Sequence, residues 1–177
     1  MDPNTEAARL VAQLETSDRE TYWRAFATLN AMGDDAVPAV MAGLSHPDWR
    51  VRRGCALFAD RNPHPALLER LKLTLHDPKA RVRMIAVHSM SCEHCKPGGN
   101  PVDAIPLIID RLKNDRAIRV RRMAAAGLIA FADEPRAARA LRKALAVETD
   151  ERLRRMAKWG LRSPERSRVA PGTAATA

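Results

Sequence analysis

Ser45-His46-Pro47-Asp48-Trp49-Arg50-Val51-Arg52-Arg53 aligns without a gap with His76-Asp77-Pro78-Lys79-Ala80-Arg81-Val82-Arg83-Met84 and with Asn114-Asp115-Arg116-Ala117-Ile118-Arg119-Val120-Arg121-Arg122. Asp150-Glu151-Arg152-Leu153-Arg154-Arg155 repeats the ending, and Asp18-Arg19-Glu20-Thr21-Tyr22-Trp23-Arg24 is a degenerate earlier copy. Val51, Val82, Val120 and Leu153 anchor the copies, 31, 38 and 33 residues apart, so the longest interval holds an insertion of about seven. A period in this range signals stacked supersecondary units rather than one irregular core.

Each copy opens a helix. Apolar residues fall three, four and eight places after the anchor, as in Val82, Ile85, Ala86 and Met90, or Leu153, Met156, Ala157 and Leu161. That spacing is one helical stripe. An earlier helix precedes each copy, visible in Ala36-Val37-Pro38-Ala39-Val40 and Ala104-Ile105-Pro106-Leu107-Ile108. Proline near a first turn costs little, because the N–H it removes has no helical partner there. A polar pair such as Asp-Pro makes the turn between the two helices. One such hairpin cannot bury its apolar face alone, so neighbours must stack. The expected fold is all-α, a right-handed α-α superhelix of about five helix hairpins. The units are expected at about 5–33, 34–61, 62–100, 101–132 and 133–162, together a domain over 1–162. Residues 163–177 lack periodicity and read as a disordered tail.

This pattern of Asp-Pro, a Val-Arg pair, an Ala-rich helix and a Val-Pro helix resembles HEAT repeats, in particular the short repeats of bilin lyase-like proteins. The resemblance covers roughly residues 5–162. It implies an armadillo-like solenoid and says little of function, since such repeats serve scaffolds, lyases and DNA-repair enzymes alike.

Composition narrows the classes. The apolar fraction is 46% but aromatic residues supply only 4%, which suits close-packed helices. No stretch approaches twenty apolar residues, and the acidic start, Met1-Asp2-Pro3-Asn4-Thr5-Glu6, is unlike a signal peptide. A cytoplasmic protein with no membrane contact is expected; oligomeric state is open. The net charge of +9 is unevenly spread: residues 1–48 carry eight acids against three bases, and the remainder thirteen against twenty-seven. Of the thirty basic residues twenty-four are Arg, the cation that grips carboxylate and phosphate bidentately.

Two arginines flank each anchor. Those after it, Arg52, Arg83, Arg121 and Arg154, are expected to bond acids or carbonyls of the adjoining turns, with Asp77 and Asp115 as partners. Those before it, Arg50, Arg81, Arg119 and Arg152, leave the helix on the other edge of the stripe and are expected to form a basic face, with Arg53, Arg122 and Arg155 nearby. Such a face suits an anionic partner. The expected function is a non-enzymatic scaffold that binds an acidic protein partner there. The alternative is a nucleic-acid-binding module on the same arginines, with a DNA glycosylase-like activity, using Trp23, Trp49, Trp159 and Asp48, as a minor possibility. No catalytic set is recognisable.

The insertion contains Cys92-Glu93-His94-Cys95, with His88 one helical turn earlier. His88, Cys92, His94 and Cys95 make a tentative zinc set of mixed thiolate and imidazole, set against two thiols that merely pack a helix end. Apart from zinc no cofactor is expected. Cys55 takes the position of Ala86 and Ala124 in its own repeat, and is expected to be a small core residue.

Overall fold

The fold was determined as a computed structural model, which describes residues 2–92 and 103–162. Among the described residues the chain forms helices and no strand. It divides into two compact units, Met1–Ala104 and Ile105–Ala177.

The first unit holds three hairpins. They are α1 (Pro3–Gln13) with α2 (Arg19–Met32), α3 (Val37–Gly43) with α4 (Trp49–Arg61), and α5 (Pro65–Thr74) with α6 (Ala80–Ser91); a 3₁₀ turn, Gly33–Ala36, leads into α3. The first helices of the hairpins, α1, α3 and α5, pack in one layer and the second helices, α2, α4 and α6, in another. The second unit holds two hairpins of the same kind, α7 (Ile105–Asn114) with α8 (Ile118–Ile129) and α9 (Pro135–Val147) with α10 (Glu151–Arg162). There α7 packs on α9 and α8 on α10. These are the five hairpins the repeat implies.

The helices begin where side-chain chemistry lets them. Asp2, Asp18 and Asp48 accept hydrogen bonds from the backbone N–H of Thr5, Thr21 and Arg50, which would otherwise be orphaned in the first turn. Proline occupies the first turn of α1, α3, α5 and α9. His46, a turn residue, accepts from the Asp48 N–H through Nδ1 at 3.1 Å.

All four anchors, Val51, Val82, Val120 and Leu153, are fully buried, as are Ala86, Ala124 and Ala157 four places on. Burial of such side chains is worth about 1.5–3 kcal/mol for each large aliphatic one. Cys55 is also fully buried, and desolvation pushes its thiol up to about 12, so it is an inert core residue. A Cβ built on Gly43 would overlap the Cys55 sulfur and come within 2.8 Å of Val11 Cγ1. Glycine there is what lets α3 meet α1 and α4 so closely.

Candidate functional site

The arginines that follow the anchors are part of the frame. Arg52 of α4 reaches forward to the next repeat: its Nε and Nη2 donate to the two carboxylate oxygens of Asp77 at 2.6 and 3.1 Å. Its Nη1 donates to the carbonyls of His46 and Pro47 in its own turn, both at 2.7 Å. Asp77 in turn accepts from the Lys79 N–H at 2.7 Å, which fixes the turn just before α6. Arg121 of α8 repeats the arrangement, with Nε and Nη2 on Glu148 at 2.9 and 3.3 Å and Nη1 on the Asp115 carbonyl at 3.1 Å. Arg83, itself buried, donates to the carbonyls of Asp77 and Pro78. Each guanidinium thus ties a turn to a helix, and two of them tie one repeat to the next. The hydrogen bond from Arg121 holds the Glu148 carboxyl below its usual range.

Asp77, Asp115 and Glu148 stand at one register, five residues before an anchor. The first two were foreseen as partners. Glu148 was missed, although its register marks it.

The arginines that precede the anchors stand apart from these. Arg81, Arg119 and Arg152 are exposed, and among the described residues none of them makes an ion pair or a hydrogen bond to another side chain. In the first unit Arg81 lies over the ring of Trp49, 5.5 Å from guanidinium carbon to ring centroid, and Arg50 lies 5.1 Å from the same ring. A cation against an indole is held in place by the ring quadrupole while its N–H edges stay available. Trp49 is therefore a platform that joins α4 to α6 and sets the orientation of both arginines. Arg50 is half-exposed and also pairs with Asp48 at 3.2 Å. Asp48 is thereby engaged twice, as a helix cap and as an ion pair.

The remaining arginines near the face differ among themselves. Arg53 is half-buried and donates to the Tyr22 hydroxyl at 3.4 Å. Arg122 forms a two-pronged pair with Asp150, at 2.9 and 2.5 Å, which pulls the Asp150 carboxyl down to about 2. Its charge is largely answered within the second unit. Arg155 is exposed on α10 with no ion pair among the described residues. The exposed set in the second unit is therefore Arg119, Arg152 and Arg155, carried by the packed pair α8 and α10.

Of the tentative zinc set, His94 and Cys95 lie outside the described residues. His88 turns its Nε2 toward the buried carboxylate of Asp60 on α4, 3.4 Å away. Cys92 caps the end of α6, its N–H donating to the His88 carbonyl at 2.9 Å. Among the described residues no group of three or more His, Cys, Asp or Glu side chains is placed to hold a metal. No helix among them is long and apolar enough to cross a membrane.

Stacked helix hairpins whose turns are tied by a row of arginines define a repeat protein of the α-solenoid class. The profile of the family described as HEAT repeats matches residues 7–91 and 92–162, nearly the whole chain, and the protein belongs to that family. Among solved structures it is similar to the complex of CpcE and CpcF of phycocyanin lyase from Nostoc sp. PCC7120. There the TM-score is 0.75 at 17% identity, over 88% of this chain and 98% of that one. It is also similar to an engineered protein, with a TM-score of 0.53 at 18% identity, over 91% of this chain and 80% of the other. At these identities the likeness is one of fold. No curated protein matches the chain in sequence.

Proposed function

We propose that this chain is a non-enzymatic scaffold whose pre-anchor arginines dock an acidic protein partner. The observation that carries this reading is the division of labour between the two arginine rows. Wherever the repeat needs an arginine for itself, as at Arg52, Arg83 and Arg121, the guanidinium is consumed by carbonyls and carboxylates of the turns. Arg81, Arg119 and Arg152 make no ion pair and no hydrogen bond to another side chain among the described residues, yet with Arg50 the same residue type recurs at the same register in four of the five hairpins. An exposed guanidinium with its fork unfilled is a ready receptor for a carboxylate. The structural neighbour from Nostoc is itself a complex of two proteins, which agrees with a partner-binding role.

Binding of a fluorescein-labelled polyglutamate peptide to the full chain, followed by anisotropy over a salt series, tests the proposal. Binding that weakens steeply with salt, and falls about tenfold when Arg119 and Arg152 are both changed to Glu, is the expected result. Preferential binding of duplex DNA in the same assay, with the salt slope of phosphate neutralisation, would replace this reading with the nucleic-acid one.

A further inference from the structure

The repeat register places four residues six positions after the anchors: Leu57, His88, Ala126 and Trp159. In the second unit the smallest and the largest of these are neighbours, on α8 and α10. The two helices approach closely beside them, because Gly160 leaves no side chain between: a Cβ there would stand 2.6 Å from Ile129 Cγ1. A large indole facing an alanine across a tight helix pair leaves a hollow. It is seen as an open groove of about 460 Å³, lined by Ala126, Ile129, Met156 and Trp159, with Arg152 and Arg155 also in its wall. Trp159 keeps 56% of its surface in contact with solvent, so its indole face is open to a ligand.

The chemistry of the wall selects a ligand. Its floor is aliphatic and aromatic, its two polar side chains are both guanidiniums, and it contains no acid. An apolar floor flanked by arginines is complementary to a large apolar side chain with carboxylates beside it, the arrangement of a buried anchor inside a charged rim. The groove is open along its length, so a small molecule would keep much of its surface in water, unlike the enclosure such ligands usually find. A single strand of nucleic acid gains its stacking energy from successive aromatic platforms, and here there is one indole beside aliphatic side chains.

We infer that the groove between α8 and α10 is the specificity pocket for an acidic protein segment, taking one large apolar side chain against Trp159 while Arg152 and Arg155 receive flanking carboxylates. This rests on the proposed docking of an acidic partner, and adds to it the apolar anchor that decides which acidic segment binds.

Two labelled peptides separate the claims: polyglutamate with one central phenylalanine, and the same peptide with serine in that place. The full chain is expected to bind the phenylalanine peptide about tenfold more tightly, the effect of one well-seated anchor. Ala126→Leu fills the groove from an exposed position and should abolish that preference while leaving the serine peptide's affinity unchanged. Trp159→Ala, also an exposed site, should abolish it too, and an unchanged thermal midpoint would show that both variants fold. Equal binding of the two peptides by the native chain, or a preference that survives both substitutions, would overturn the pocket while leaving the acidic-partner reading intact. If neither peptide binds, the acidic-partner reading falls and the pocket with it. Tighter binding of an oligothymidylate than of the phenylalanine peptide would assign the groove to nucleic acid instead.

Discussion

The two arginine rows are made of the same residue, on the same helices, two positions apart, and their fates are opposite. At Arg52 the side chain is only 12% exposed and its partner Asp77 only 6%. At Arg119, in the next unit's equivalent helix, the guanidinium stands in solvent without an ion pair among the described residues. The rotation of an α-helix accounts for the divergence: residues on either side of the anchor leave on opposite edges of the apolar stripe. One edge meets the turn of the following repeat, with its acid five residues before the next anchor. The other meets no such acid in the following repeat: Arg81 lies over the Trp49 ring, and Arg119 and Arg152 make no ion pair among the described residues. One row therefore holds the turns of the fold together, and the other carries the proposed docking face.

The largest effect should come from Arg52→Ala. It strands the Asp77 carboxylate and two turn carbonyls, and a loss of about 3 kcal/mol in urea unfolding is expected. A loss below about 1 kcal/mol would mean that Asp77 is held adequately by the Lys79 N–H alone. Arg121→Ala should cost less, about 1–2 kcal/mol, because Arg121 and Glu148 are 23% and 13% exposed and water partly replaces the bonds.

Acid should act on the same row of turns. The carboxyls of Glu148 and Asp150 are both depressed in the folded state, Asp150 from 3.8 to about 2. A depressed carboxyl contributes stability in full above its unfolded pKa and loses it as pH falls through the folded value. Unfolding monitored between about pH 5 and pH 2 should show declining stability, and Asp150→Asn should flatten part of that decline. A variant with an undiminished slope would place the acid sensitivity elsewhere.

Arg154 sharpens the comparison most finely. By register it belongs to the structural row, yet it is exposed and its side chain makes no hydrogen bond or ion pair among the described residues. Its removal as Arg154→Ala should change stability by no more than about 0.5 kcal/mol, as at an ordinary surface site. A large loss would show that register alone, rather than the partners, fixes the role.

Most of the fold could be read from the sequence because it is repeated. Four anchors in one register, the small residue four places after each (Cys55, Ala86, Ala124 and Ala157) and the prolines of the first helices report the same packing again and again, so chance matches cancel. Cys55 was legible for the same reason, through its alignment with Ala86 and Ala124. The site was legible in part. The division of the arginines into two rows follows from helical rotation, but the tie between Arg122 and Asp150 does not, since the acid at that register is absent from the two preceding copies, which have Lys79 and Ala117. The role of Trp49 as a platform for Arg50 and Arg81 depends on how α4 meets α6, which no spacing within either helix reveals. The groove at Trp159 was hidden because Ala126 and Trp159 are unremarkable one at a time. Only their pairing across two helices makes a hollow.

The separation of the rows is tested most directly by Arg119→Glu combined with Arg152→Glu, measured for both urea unfolding and anisotropy of the labelled phenylalanine-containing polyglutamate peptide. Stability within about 0.5 kcal/mol of the native chain, together with an affinity lowered at least about tenfold, is the predicted result. Unchanged affinity, or a binding loss that merely follows a loss of folding, would contradict it.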